Sequence, residues 1–187
     1  VFTGGMIDSW KIVFKNNYSY SESDNFHKKV DENGFTGCLS FFDIKIVNTS
    51  IESFNSDCED AVNFVRSSGS IRALLIRNAL YDGLDADFSS LKFDLIDVKN
   101  AKNDCIDFSF GDYFLNQVII ESCGDKGVSI GETSKVKIEN LSVSNSNIGL
   151  ASKDFAEVKI NKGFINTTKN CVEAYNKKQE FSGGFIL

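Results

Sequence analysis

The small residues Ala61, Gly83, Cys105, Gly127, Gly149 and Cys171 recur every 22 residues, and each is followed by an aliphatic residue: Val62, Leu84, Ile106, Val128, Leu150 and Val172. A repeat of this length, made of short β-type runs and turn residues, is one coil of a parallel β-helix. Each coil buries its apolar face by stacking on its neighbours. The expected fold is therefore an all-β solenoid with 22-residue coils. Its register starts at Cys38-Leu39-Ser40-Phe41, one residue out of phase with Ala61, and gives seven coils to the end of the chain.

Within a coil the first strand alternates, so Leu84, Ala86, Ile106 and Phe108 should face inward and Asp85, Asp87, Asp107 and Ser109 outward. Stacked inward positions form columns. Leu39, Val62, Leu84, Ile106, Val128, Leu150 and Val172 make an aliphatic ladder, and Phe88 with Phe110 are expected to make an inward aromatic one. Phe93 and Leu115, Ile96 and Val118, and Val98 and Ile120 carry the beat into the later strands. Asn78 and Asn100 share one strand end, where stacked amides can hydrogen-bond from coil to coil. Proline is absent, which suits strands paired on both sides.

Before this register, Ser9 to Phe14 reads as a strand and Asn16 to Gly34 as a long polar loop. The organisation is thus a leading segment, residues 1–37, followed by coils over residues 38–187. With 42% hydrophobic residues the chain can fill a continuous core. Its formal charge of −6 and the lack of a basic face argue against a nucleic-acid partner. No stretch approaches the run of about 18 apolar residues that a membrane span needs. The abrupt Val1-Phe2-Thr3-Gly4-Gly5 start and Gly183-Gly184-Phe185-Ile186-Leu187 end read as a piece of a longer chain, whose other domains are expected partners.

Five cysteines, Cys38, Cys58, Cys105, Cys123 and Cys171, lack CxxC or Cys/His ligand spacing. They are expected to be mostly packed thiols, with Cys105 and Cys171 as compact fillers of the small-residue column. The sequons at Asn17, Asn48, Asn140 and Asn166 are common in so Asn- and Ser-rich a chain and do not establish secretion. The compartment stays open between the extracellular space or cell envelope and any other.

Chemistry is concentrated beside the small column. One row immediately before it holds Asp60, Asp82, Asp104 and Lys126, and one row two residues after it holds Asn63, Asp85, Asp107 and Ser129. Both rows are expected to face outward. Coils rise by about 4.8 Å, so Asp82 should stack near Asp104 and Asp85 near Asp107. Four carboxylates this close repel, and need a cation, raised pKa values, or the neighbouring Lys126 and Lys153. Spacing near 5 Å also matches the carboxylates of retaining glycosidases, and diagonal pairs reach toward the inverting separation. Against that, aspartates at coil corners cap backbone amides, which accounts for Asp82 and Asp104 without any chemistry. The mid-strand pair Asp85 and Asp107 has no such structural reason, because opposed acids cost a sheet stability.

The repeat region resembles the right-handed parallel β-helix, pectin-lyase-like superfamily, whose members mostly bind, cleave or epimerise acidic polysaccharides. Four segments are similar in order and rough spacing to the N-T-D, D-D, G-H-G and R-I-K motifs of polygalacturonase-type glycoside hydrolases: Tyr81-Asp82-Gly83-Leu84-Asp85, Asn103-Asp104-Cys105-Ile106-Asp107, Asp125 to Gly131, and Gly149-Leu150-Ala151-Ser152-Lys153. The resemblance implies that Asp82 and Asp104 match two of three catalytic aspartates and that Lys153 matches a substrate-binding lysine. Asn103 stands where that family has its other aspartate, Lys126 where it has histidine, and Ala151 where it has arginine. Ordinary polygalacturonase activity is therefore not implied.

The leading expectation is a β-helical domain that binds, and as an enzyme would process, a polysaccharide or oligosaccharide along an acidic groove. Asp82, Asp85, Asp104 and Asp107 are the candidate catalytic residues; Asn63, Asn103, Lys126, Ser129 and Lys153 are the candidate substrate-binding residues. The alternative is a non-catalytic spacer or protein-interaction solenoid. No cofactor is expected; a Ca²⁺ site built from Asp85, Asp87 and Asp107 is a further option. His27, the single histidine, lies with Lys28 and Lys29 in the polar loop and completes no triad. Glu132 and Asp154 flank Lys153 and either extend a polar groove or, the favoured expectation, form solvent-exposed ion pairs; Asn176 to Glu180 reads as a charged turn.

Overall fold

The computed structural model describes residues 1–17 and 30–187, and His27, Lys28 and Lys29 lie outside the described residues. The chain forms β1 (Phe2–Thr3), β2 (Met6–Asp8), β3 (Lys11–Lys15), β4 (Gly37–Phe42), β5 (Lys45–Ser56), β6 (Asp60–Val65), β7 (Ser68–Ala79) and β8 (Asp82–Asp87). It continues with β9 (Ser90–Ala101), β10 (Ile106–Ser109), β11 (Asp112–Gly131), β12 (Lys135–Lys153), β13 (Glu157–Asn166), β14 (Asn170–Tyr175) and β15 (Phe185–Ile186). Every pairing is parallel, and each coil pairs with the next about 22 residues on. The fold is a right-handed parallel β-helix.

Three strips of stacked strands run along it. The first takes β1, β4, β6, β8, β10, the end of β11, the end of β12 and β14. Its register joins Leu39, Val62, Leu84, Ile106, Val128, Leu150 and Val172 in one line, the aliphatic ladder read from the repeat. Val62 through Leu150 are fully buried, whereas Val172, in the last coil, is 50% exposed. Longer strands bend from the second strip into the third, where Phe93 meets Leu115, Ile96 meets Val118 and Val98 meets Ile120 as expected.

Residues before Cys38 are not outside the solenoid. β1 and β2 pair with β4 and β5, and β3, which starts at Lys11, pairs with the second half of β5. Residues 1–17 therefore supply a coil of their own.

The small column is a steric requirement. A Cβ on Gly83 would lie 2.5 Å from the Cys105 carbonyl and 3.0 Å from Val98 Cγ1, so the corner closes only on a small residue. At the opposite end of the first strip, Phe88 and Phe110 adopt φ of 51° and 50°. That left-handed turn swings the rings outward: they stack at 4.7 Å, but Phe88 is 56% and Phe110 37% exposed. The inward aromatic ladder is corrected accordingly. The aromatic core is instead Phe41, Phe64, Phe93 and Phe108, all fully buried. The asparagine ladder is present: Asn78 Nδ2 donates to Asn55 Oδ1 at 2.9 Å and Asn100 Nδ2 to Asn78 Oδ1 at 3.1 Å.

The cysteines are not mostly packed thiols. Cys38 is bonded to Cys58 and Cys105 to Cys123, with Cys171 free and exposed. Chain separations of 20 and 18 residues fall just short of one coil, so each bridge closes a corner of a single coil. Closing loops of this size stabilises a fold by about 3 kcal/mol.

Candidate functional site: an acidic groove on the first strip

β6, β8 and β10 alternate as their sequences require: Val62, Phe64, Leu84, Ala86, Ile106 and Phe108 fill the core, which turns the intervening residues to the opposite face. There Asn63, Asp85 and Asp107 fall in one register line, and Val65, Asp87 and Ser109 in the next. The expected stacking of Asp85 on Asp107 is present. A groove of about 480 Å³ opens over these lines, bordered by Gly34, Phe35 and Thr36 and lined by Glu59, Asp60, Asn63, Val65, Asp82, Asp85, Asp87, Asp107 and Ser109.

Facing away from the core does not mean facing solvent here. Asp60 is 2% exposed, Asp104 4% and Ser129 fully buried, so neither row is simply outward. Gly37, the first residue of β4, lies so close to β6 that a Cβ there would come within 2.8 Å of Asn63 Cβ.

The corner aspartates cap the main chain. Asp82 Oδ1 accepts the Asp104 amide at 2.8 Å and the Asn103 side-chain amide at 2.7 Å; Asp104 Oδ1 accepts the Lys126 amide at 2.9 Å. Lys126 Nζ lies 3.5 Å from Asp104 and also pairs with Asp125. Despite its burial, these acids raise the Lys126 pKa. Asn103, Asp104, Lys126, Ser129 and Lys153 do not line the groove, whereas Asn63, Asp82, Asp85 and Asp107 do.

Asp85 accepts a hydrogen bond from Asn63 Nδ2 at 3.2 Å. Burial, followed by repulsion from Asp60, Asp87 and Asp107, holds its carboxyl well above the ordinary aspartate range. Burial also lifts Asp107, to about 6, but the buried ammonium of Lys153, 3.7 Å away, opposes the shift. Ser129 favours the charged form of Asp107 weakly, at a geometry short of a hydrogen bond, so Asp107 Oδ1 and Ser129 Oγ remain buried without partners. Burial raises Asp60 to about 8 against a hydrogen bond from Thr36, and raises Asp82 to about 7 with Asp104 adding to the shift. Asp87, lifted by burial and Glu132, reaches about 6.

Comparisons of the chain with family models, with curated proteins and with solved structures found no match.

The groove includes residues that the repeat alone did not single out. Glu59 reads in sequence only as part of an acidic corner with Cys58 and Asp60, and the Gly34–Phe35–Thr36 border carries no periodic signal because it lies outside the regular strand. Asp60 was legible only as a corner, and Asp87 only as a calcium ligand, although both sit on the 22-residue beat. Among the described residues, the one cluster of three potential metal ligands within 4.8 Å of one another is Cys38, Asp57 and Cys58, and the two sulfurs there are already bonded together. Glu132 and Asp154 are not exposed ion pairs. Glu132 is buried, receiving Ser109 Oγ and Lys178 Nζ at 2.6 Å each. Burial opposes the charge on Glu132, yet these two partners hold its pKa below the usual value. Asp154 is fully buried and accepts the amides of Lys177 and Lys178, fastening the charged turn to the coil before it. No helix among the described residues is long and apolar enough to cross a membrane.

Proposed function

We propose that the groove binds a carbohydrate chain and that Asp85 and Asp107 act on a glycosidic linkage as a proton donor and its carboxylate partner. The observation that carries this reading is the difference between two registered carboxyls on adjacent coils. Asp85 is driven toward its protonated form by burial and three acids, while Lys153 favours charge on Asp107. Burial raises both carboxyls, but an ammonium limits the rise only at Asp107, and acidities separated in this way are the pattern of a general acid and a nucleophile or base. Their coil spacing of about 4.8 Å suits the retaining arrangement. Lys153, in the position that the resemblance to polygalacturonase-type motifs gives to a substrate-binding lysine, acts here by tuning Asp107. Reducing-end release from a panel of polysaccharides, measured for the parent and for Asp85→Asn and Asp107→Asn, tests the assignment. Loss of release in either folded variant supports it; release unchanged in both removes the pair from the chemistry.

A second reading is favoured by the corner row. Asp82 and Asp104 spend their oxygens on amides of the next coil, as they would in a plain scaffold. A spacer or interaction solenoid predicts that Asp82→Ala lowers the melting temperature and that no polymer binds, with or without calcium.

A further inference from the structure

We propose that the chain held in this groove carries amino groups: it is an oligomer of amino sugars, such as glucosamine units, lying along the solenoid with its ammonium groups on the stacked carboxylates. This rests on the carbohydrate reading above and adds the class of sugar.

Among the described residues, six carboxyls line the groove and no lysine or arginine does. Of the nearby ammonium groups among the described residues, Lys126 is committed to Asp104 and Asp125, Lys153 to Asp107 and Lys178 to Glu132. A uronic-acid polymer would therefore meet acids, with no uncommitted ammonium among the described residues to receive its carboxylates. Two of the lining acids also present acceptors with nothing to accept: Asp60, 2% exposed, has Oδ2 unpartnered beside the oxygen that Thr36 serves, and Asp107 Oδ1 is equally orphaned. A buried acceptor left unpaired is costly, and more so when charged. A hydroxyl would supply a donor but leave the repulsion among the acids; an ammonium supplies three donors and the opposite charge. The carboxyls are also distributed for a polymer rather than for one ion. Asp60 and Asp82 share one register line, Asp85 and Asp107 a second, and Asp87 lies on a third. The coil rise of about 4.8 Å is close to the length of one pyranose unit in an extended chain, so successive units meet successive rungs.

The test is calorimetric titration of the intact chain at pH 6 with four probes: hexaglucosamine, its fully N-acetylated counterpart, hexagalacturonate and hexalysine. Hexaglucosamine should bind at least about tenfold more tightly than the acetylated oligomer, a gap of about 1.4 kcal/mol. It should weaken as salt is added, while hexagalacturonate should give no heat. Asp60→Asn and Asp87→Asn, each checked for an unchanged far-UV spectrum, should each weaken the binding severalfold, and Asp112→Asn, outside the groove, should not. Equal or tighter binding of the acetylated or galacturonate oligomer overturns the amino-sugar assignment and leaves the carbohydrate reading standing. Binding of hexalysine alone assigns the groove to a basic peptide and overturns both; so does the absence of any binding.

Discussion

The first and third strips are built from the same alternation over the same core, yet they treat outward charge in opposite ways. On the third strip, Lys99 meets Glu121 on the neighbouring rung at 3.0 Å, Arg77 meets Asp97 at 2.6 Å, and Lys11 meets Glu52 at 2.8 Å. On the first strip, Asp85 is stacked on Asp107, with Asp60, Asp82 and Asp87 around it. Both faces hold a parallel strand equally well, so the β-helix does not require stacked acids. Opposite charges on adjacent rungs stabilise a sheet slightly and like charges cost it. The first strip carries that cost in a groove, whereas on the third strip the stacking of Arg77 on Lys99 is offset by Asp97 and Glu121.

The largest expected effect comes from the bridge that closes the coil joining these strips. Replacing Cys105 and Cys123 together by serine should remove about 3 kcal/mol, lowering the melting temperature by roughly 2–4 °C for each kcal/mol. If the acidic face alone depends on this closure, hydrogen exchange should quicken in β8 and β10 before it does at Lys99 and Glu121. Uniform quickening would deny that the strips differ in local stability.

Acidity separates the strips next. Asp60, Asp82, Asp87 and Asp107 move from an ordinary value of 3.8 to about 8, 7, 6 and 6. The folded state therefore keeps protons that the unfolded chain has lost between about pH 4 and pH 8. This contribution is full below about pH 4 and disappears as pH rises through 6 to 8. Thermal melts should show a higher melting temperature at pH 5 than at pH 8. Glu132 is shifted downward and works in the opposite sense, but its effect falls at or below its ordinary value of 4.5. A melting temperature that climbs from pH 5 to pH 8 would contradict the protonated groove.

Asp85→Asn sharpens the contrast further. Removing one like-charge neighbour should raise stability at pH 8 by about 1 kcal/mol or less and flatten the pH dependence, read from the same melts. The smallest effect belongs to the other strip: Glu121→Gln should cost between about 0.2 and 1 kcal/mol and shrink further in high salt. A cost there exceeding the Asp85→Asn gain by several-fold would reverse the comparison.

The parts of the fold that were legible are those that depend on position modulo the coil. The ladder from Leu39 to Val172, the Asn78–Asn100 pair and the mid-strand Asp85–Asp107 pair follow from a period of 22 and a strand alternation of two. Phe88 and Phe110 keep the period too, but their φ values near 50° lie at the corner, where alternation stops predicting direction. The disulfides escaped for a related reason: separations of 20 and 18 residues are off the beat, and become contacts once a coil is known to return on itself. Lys178 reaches Glu132 from a later turn, a contact that no repeat position marks.

The sequence by itself determined the coil length, the stacking register and which strands carry acids, because a steric column and a two-residue alternation recur from coil to coil, with a single residue added in some. The tertiary structure decided which of those acids are desolvated and how each is partnered. Burial depends on what crosses over a face, here Gly34 to Thr36 over Asp60 and Asn63, and on whether an ammonium such as that of Lys153 arrives within reach of Asp107. Both are three-dimensional encounters between residues off the repeat or several coils apart, and they turn a row of aspartates into carboxyls of unequal acidity.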